Sequence, residues 1–287
     1  MAAEDYTVTG DGAHASSATL AASITHATTS LTISGLSFTD EEIVVGSAVM
    51  INNEITRLVS LTSPTLVVAR GCADTIPQSH DVGSTVWFFS TGVESDETEY
   101  GVGESVGVKM PVRTTSEDMT IENAPPHGVT FVGRFIRPYP PGFVRIDGSA
   151  FYNAHTLNAA NLELTLTWVH RDRVIQANVL VEHGAASVGP EPGTTYTVRI
   201  YAASAPTTVL REVAGITGLT WTYTVEMAAA DLGVPIGGSA GNTNAIMELL
   251  SVRDGHESYQ TYRIAFVVNL DGVSTSGWGF AWGASWG

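Results

Sequence analysis

The chain has 287 residues, 44% of them hydrophobic and only 15% charged, with 13 basic against 29 acidic residues and a formal net charge of −16. That length fits two domains, and the apolar content is enough to bury a core in each, which sets disorder aside. Thirteen scattered cations make no basic stripe, so phosphate-rich nucleic acid and anionic membrane surfaces are excluded as partners.

Residues 1–18 read as an N-terminal arm. From 19 to 89 the pattern is that of a small β domain. Short runs of Val, Ile, Thr and aromatics over 30–33, 48–51, 54–61, 65–69 and 85–89 lie between Gly, Pro, Asn and Asp punctuation. Asn52 and Asn53 separate two such runs and predict a tight hairpin, and Asp40, Glu41 and Glu42 form a polar loop. Residues 90–128, beginning STGVESDETEYGVGESVG, are acidic and Gly-rich and read as a linker or long loop, with room for a strand or two over 108–121.

A second β domain is expected over 129–270, with strands at 144–147, 162–168, 175–181, 196–202, 209–214, 220–225, 247–253 and 261–268. In one of them Leu162, Leu164, Leu166 and Trp168 alternate with Glu163, Thr165 and Thr167, so one face is buried and Trp168 enters the core. Tyr196, Val198 and Ile200 alternate likewise with Thr197 and Arg199. Residues 227–232 carry the one helical pattern. The fold class is therefore all-β: a small N-terminal β domain followed by a fibronectin-III or immunoglobulin-like β-sandwich. Residues 271–287 form a Gly/Trp-rich tail in which Trp278, Trp282 and Trp286 recur every four residues. Their glycines disfavour a helix, and three indoles need a covering surface.

Chemistry is sparse. Cys72 is the single cysteine, so there is no disulfide framework, and between apolar residues it reads as a buried inert thiol. Lys109 is the single lysine; the other cations are arginines, which suit forked, partly buried ion pairs. The stretch Gly103 to Gly107 matches G-x-S-x-G around Ser105, but an acidic loop precedes it and Pro111 follows, against the strand-then-helix setting of a nucleophile elbow. Gly237 to Gly241 matches too and reads as a loop. His80 with Asp74 and Asp81, and His170 with Asp172, lack two histidines at zinc-ligand spacing. Asp254-Gly255 before His256 and Glu257 is turn chemistry, without the alternating oxygens of a calcium loop. Arg171, Asp172 and Arg173 are expected to form ion pairs at the end of the Trp168 strand. No catalytic, metal or cofactor residue is assigned, and the chain is expected not to be an enzyme. Tyr139, between Pro138 and Pro140-Pro141, lies on a stiff extended segment that reads as a connector or a docking strand. With Trp278, Trp282 and Trp286 it makes up the candidate interface. No apolar run reaches the roughly 18 residues of a transmembrane helix, and MAAEDYTVTGDG has no secretory pattern.

Three segments carry a resemblance. In the first, Glu54 and Arg57 are followed by Arg70, Gly71, Asp74, Thr75, Pro77, His80, Gly83, Val86 and Trp87, in the pattern R-G-x-x-D-T-x-P-x-x-H-x-x-G-x-x-V-W. The second is RPYPPGFVRIDG through LTLTWVHRDR. The third is GPEPGTTYTVRIY, LREVAGITGLTWTYT and LLSVRDGHESYQTYRI, with GWGFAWGASWG at the end. Together they span residues 48–287 and resemble tail-tip or baseplate-associated proteins of tailed bacteriophages and gene transfer agents. The resemblance implies a structural protein of a virion tail, at the tip, baseplate or fibre attachment, made in the bacterial cytoplasm. It implies other tail proteins as partners, and further copies of the chain, three being usual at tail tips. Because the first module begins close to Met1, a peripheral or distal position is expected in place of the hub. Two other functions stand beside it. One is a carbohydrate-binding module that stacks Tyr100, Tyr139 and the C-terminal tryptophans on host surface glycan. The other is an esterase through Ser105.

Overall fold

The computed structural model describes residues 16–37, 43–89, 98, 100–109, 111 and 118–274. The first unit is a closed antiparallel barrel. Its strands are β1 (Ser16–Leu20), β2 (Ser30–Ser34), β3 (Ala48–Ile51), β4 (Glu54–Thr62), β5 (Thr65–Ala69) and β6 (Thr85–Phe88), in the order β1-β2-β5-β4-β3-β6. The ring closes where Ser16 pairs with Phe88 and Thr19 with Thr85. Closure leaves no strand edge exposed. Leu20, Leu31, Ile33, Val49, Ile51, Leu58, Leu66, Val68, Val86 and Phe88 fill the interior. The Asn52-Asn53 turn joins β3 to β4 as expected, with Ile51 opposite Glu54. Strand β1 begins at Ser16, inside the stretch read from sequence as an arm.

In the stretch read as a linker and two residues past its expected end, two strands form a separate ribbon: β7 (Ser105–Lys109) pairs with β8 (Pro126–Thr130). Nearly all of its residues are exposed.

The second unit is a two-sheet sandwich. One sheet, ordered β10-β9-β12-β15, consists of β9 (Gly142–Ile146), β10 (Ser149–Ala150), β12 (Glu163–Val169) and β15 (Thr220–Thr224). The other, ordered β11-β18-β16-β13-β14, consists of β11 (Thr156–Leu157), β13 (Thr195–Ala202), β14 (Val209–Ile216), β16 (Thr243–Arg253) and β18 (Tyr262–Val268), with β17 (His256–Glu257) on β16. The chain crosses between the sheets from β12 to β13, from β14 to β15, and from β15 to β16. That Greek-key order, three main strands facing four, is the arrangement of a fibronectin-III-like sandwich. Leu164, Leu166 and Trp168 of β12 face Tyr196, Val198 and Ile200 of β13 in one core, and the Trp168 and Tyr196 rings meet edge to face at 5.2 Å. Helix α1 (Val225–Leu232) leads from β15 toward β16. Thr224 caps its N-terminus, and Gly233 ends it in the left-handed region at φ 67°.

The strand expected at 175–181 is not formed. Those residues follow a tight turn in which the buried Asp172 carboxylate accepts the N–H groups of Val174 and Ile175 at 2.8 and 3.1 Å. A side chain that satisfies consecutive backbone donors competes with a sheet ladder for them.

Candidate functional site at the barrel–sandwich junction

The residues of the first sequence motif converge on the lower edge of the barrel, and nearly all their polar groups are spent on the fold. Glu54, the first residue of β4, is fully buried. Its carboxylate accepts Arg70 Nε at 2.8 Å, Arg70 Nη2 at 2.7 Å, Gly71 N at 2.9 Å, Gln78 N at 2.9 Å and His80 Nε2 at 2.9 Å. Burial by itself would raise the Glu54 pKa, but the hydrogen bonds from Arg70 and His80 outweigh it and the net shift is downward. His80 accepts Asn52 Nδ2 on its other nitrogen at 3.1 Å. Arg70 also donates to the carbonyls of Thr25 and Thr28, which ties the β1–β2 loop to the segment after β5. Thr75 Oγ1 accepts Ile55 N and donates to Cys72 O. Gly71 has φ +60°, and a Cβ there would lie 2.5 Å from Pro77 Cδ and 3.0 Å from His183 Cβ, so only glycine fits. Cys72 is buried as expected, and burial pushes its thiol up to about 12.

The sandwich seals this edge with residues distant in sequence. Arg171 is 4% exposed and donates to Gln176 Oε1 at 3.0 Å and to the carbonyls of Gly71, Ala73 and Val181. Gln260 accepts Ile76 N at 2.9 Å and donates to Asn53 O at 2.7 Å. Asp74 takes both forks of Arg134 at 2.6 Å. His26 of the barrel stacks on Tyr152 of the sandwich at 5.5 Å, and Phe151 beside it meets Tyr262 edge-on at 4.9 Å. His183 donates its backbone N–H to Arg70 O, and its ring, beside Phe151, is held neutral with a pKa lowered to about 4, by burial first and then by Arg171.

The expected run of ion pairs at 171–173 is realised only at Arg173, which meets Glu191 at 2.8 Å. Arg171 turns into the junction, where its partners are carbonyl and amide oxygens, and Asp172 is a turn cap. Tyr139 is half-buried between buried Pro138 and Pro140, with the Arg171 guanidinium 5.8 Å from its ring. Tyr100 stacks on Phe131 at 4.3 Å. Trp278, Trp282 and Trp286 lie outside the described residues. Ser105 sits in the exposed strand β7, its Oγ 2.7 Å from Thr130 Oγ1, with no elbow geometry. His170 Nδ1 is hydrogen-bonded to the Tyr196 hydroxyl at 2.6 Å. Among the described residues, no three His, Cys, Asp or Glu side chains are grouped to hold a metal ion. Sequence reasoning missed Arg134, Arg171 and Gln260 as junction residues. Gln260 lies 184 residues from Ile76, and no local pattern marks such a pairing.

Beside the junction an open groove of about 640 Å³ runs between the barrel and the 177–185 segment. Ala48, Ala177, Val179, Leu180, Val181 and Ala185 supply its apolar lining, and Arg57 and Glu182 are its two charged residues.

No protein-family model and no curated protein matches the chain. Among solved structures it is similar to the chicken CNTN1 FN1-FN3 domains, at 12% identity and a TM-score of 0.27, over 88% of this chain and 63% of that chain. The chain thus spans less than two thirds of that structure. The sandwich assignment made above rests on strand order.

Proposed function

We propose that the chain is a structural component of a phage-like tail, at the tip, baseplate or fibre attachment, and that it acts by subunit–subunit binding. The observation that carries this reading is the fate of the motif residues. Glu, Arg, His and Asp at Glu54, Arg70, His80 and Asp74 could have formed a reactive site, yet Glu54, Arg70 and His80 are committed to tying the barrel's own loops together and Asp74 to clamping Arg134 at the junction. A motif spent in this way makes a rigid scaffold, which suits a part that transmits load or fixes spacing. The low share of charged residues fits burial against neighbouring subunits.

Imaging of the parent particle with the chain labelled tests the proposal. The expected result is label on the tail, in several copies about its axis. Purified particles that lack the chain would overturn it, as would glycan binding by the isolated chain at affinities typical of a carbohydrate-binding module.

A further inference from the structure

His183 bridges the barrel and the sandwich through its backbone and carries a titratable ring at the same point. Its N–H donates to Arg70 O of the barrel at 3.0 Å, and its carbonyl accepts Phe143 N of the sandwich at 2.7 Å. A Cβ on Gly71 would lie 3.0 Å from His183 Cβ, and one on Gly142 would lie 3.1 Å from His183 O, so the backbones of both units close on it. The imidazole meets Phe151 edge-on at 5.9 Å, and its Nδ1 is buried without a hydrogen-bond partner among the described residues. A neutral ring tolerates that, since Nδ1 can carry the bare lone pair. An imidazolium puts an N–H there with no acceptor, a buried charge left unsatisfied.

The surroundings offer that N–H nothing. Arg171 and Arg145 of the sandwich and Arg70 of the barrel all oppose a positive ring. The Tyr262 hydroxyl is buried and itself unpartnered, so it is out of hydrogen-bond reach. His26, from the β1–β2 loop, meets the same Phe151 ring at 5.7 Å. Glu54 favours protonation, but its two oxygens already take five donors, His80 among them. Asp74 is held by both forks of Arg134, Glu182 is exposed, and Cys72, its thiol pushed up to about 12, supplies no thiolate. The two hydrophobic cores share no residue, so the seam can open without dissolving either. We propose that His183 makes the barrel–sandwich seam an acid-operated joint: its protonation releases the Arg70–Gly71 edge of the barrel from the sandwich while each core stays folded. This does not depend on the tail role proposed above. Burial first, and then Arg171, lower the pKa of the closed ring to about 4, whereas in the open joint it returns to the ordinary 6.5. Between about pH 7.5 and about pH 5 the open state therefore gains roughly thirty-fold over the closed one, and that window stays above the ordinary carboxylate range of about 4.

Cys72 reports the opening. It is the single cysteine, it is fully buried yet belongs to neither core, and Arg171 of the sandwich donates to the carbonyls on either side of it. The measurement is the rate at which a dipyridyl disulfide, which reacts with thiols in mild acid, labels Cys72 in the native full-length chain, divided by the rate in the urea-unfolded chain at the same pH. The expected result is a roughly thirty-fold rise in that ratio from about pH 7.5 to about pH 5, with the amide protection of β4 and β16 retained. His183→Phe, which keeps an aromatic ring but cannot take up a proton, should hold the ratio flat. A flat ratio in the wild type overturns the proposal whether or not the variant folds. So does an equal rise in His183→Phe, and so does a rise accompanied by loss of protection in both cores, which is global unfolding.

Discussion

Glu54 shows how much one buried side chain can organise. Five donors converge on its carboxylate, two of them from Arg70, which is itself 3% exposed. Glu54→Ala leaves that guanidinium buried without its counter-charge, a change that costs about 3–5 kcal/mol in comparable buried pairs. The urea midpoint should fall accordingly with little change in slope, and a loss below about 1 kcal/mol would show that the pair is not structural. His183 gives a pH dependence of known sign. Its folded pKa, about 4, lies below the ordinary 6.5, so the unfolded chain takes up the proton first. The stability of the neutral ring is complete above pH 6.5 and is lost as pH falls toward 4, by on the order of 2–3 kcal/mol. Urea titrations between pH 7.5 and about 4 should show this slope, and His183→Phe, which keeps an aromatic ring against Phe151, should flatten it.

At the scale of elements, stability is uneven. Strands β13 and β16 lie at the centre of their sheet, each paired on both sides, and carry many of the buried core residues. The β7–β8 ribbon has one partner per strand, with Gly107 opposite Gly128 at its middle, and one end is held by Phe131, whose N–H donates to Glu104 O and whose carbonyl accepts Gly103 N. A two-stranded hairpin is marginal by itself. Its amide hydrogens should exchange far faster than those of β13 and β16 in the isolated chain, a contrast that native-state exchange measures directly. Equal protection would mean that the ribbon is packed as firmly as the core. Helix α1 depends on its cap: Thr224 Oγ1 accepts Met227 N at 3.4 Å, and Thr224→Ala should cost about 1 kcal/mol or less for so long a bond, read from the thermal midpoint.

For the whole molecule, the question is whether barrel and sandwich unfold together. Arg171 bridges from the end of β12 to the barrel carbonyls of Gly71 and Ala73, Gln260 pairs with Ile76 and Asn53, and Arg134 clamps Asp74. Contacts of this kind, largely removed from water, couple the two units into one cooperative transition. Calorimetry of the wild type should therefore show a single peak. Arg171→Ala removes a buried cation and leaves three carbonyls without their donor, so the barrel should melt apart from the sandwich and the trace should split in two. A single peak in the variant, shifted but undivided, would place the coupling elsewhere in the seam.

The amino-acid sequence by itself determined what is local. Alternation along Leu164, Leu166 and Trp168 set the buried face of β12, because side chains on a strand repeat every two residues. The Asn52-Asn53 and Asp254-Gly255 pairs set their hairpins through residues that tolerate positive φ, here 50° at Asn52 and 50° and 77° at Asp254 and Gly255. The same apolar runs led the reading astray at 175–181, where the Asp172 cap outcompetes a sheet, and strand β1 went unseen because SSATL carries almost no apolar signal. The tertiary structure alone decided that the first unit closes into a barrel. It also decided that Glu54, Arg70, His80 and Arg171 meet in one seam, and that Phe135 stands in solvent. Closure depends on the pairing of β1 with β6, and the seam on contacts across as many as 207 residues. Such pairings are chosen by the packing of whole sheets, which no short window of sequence contains.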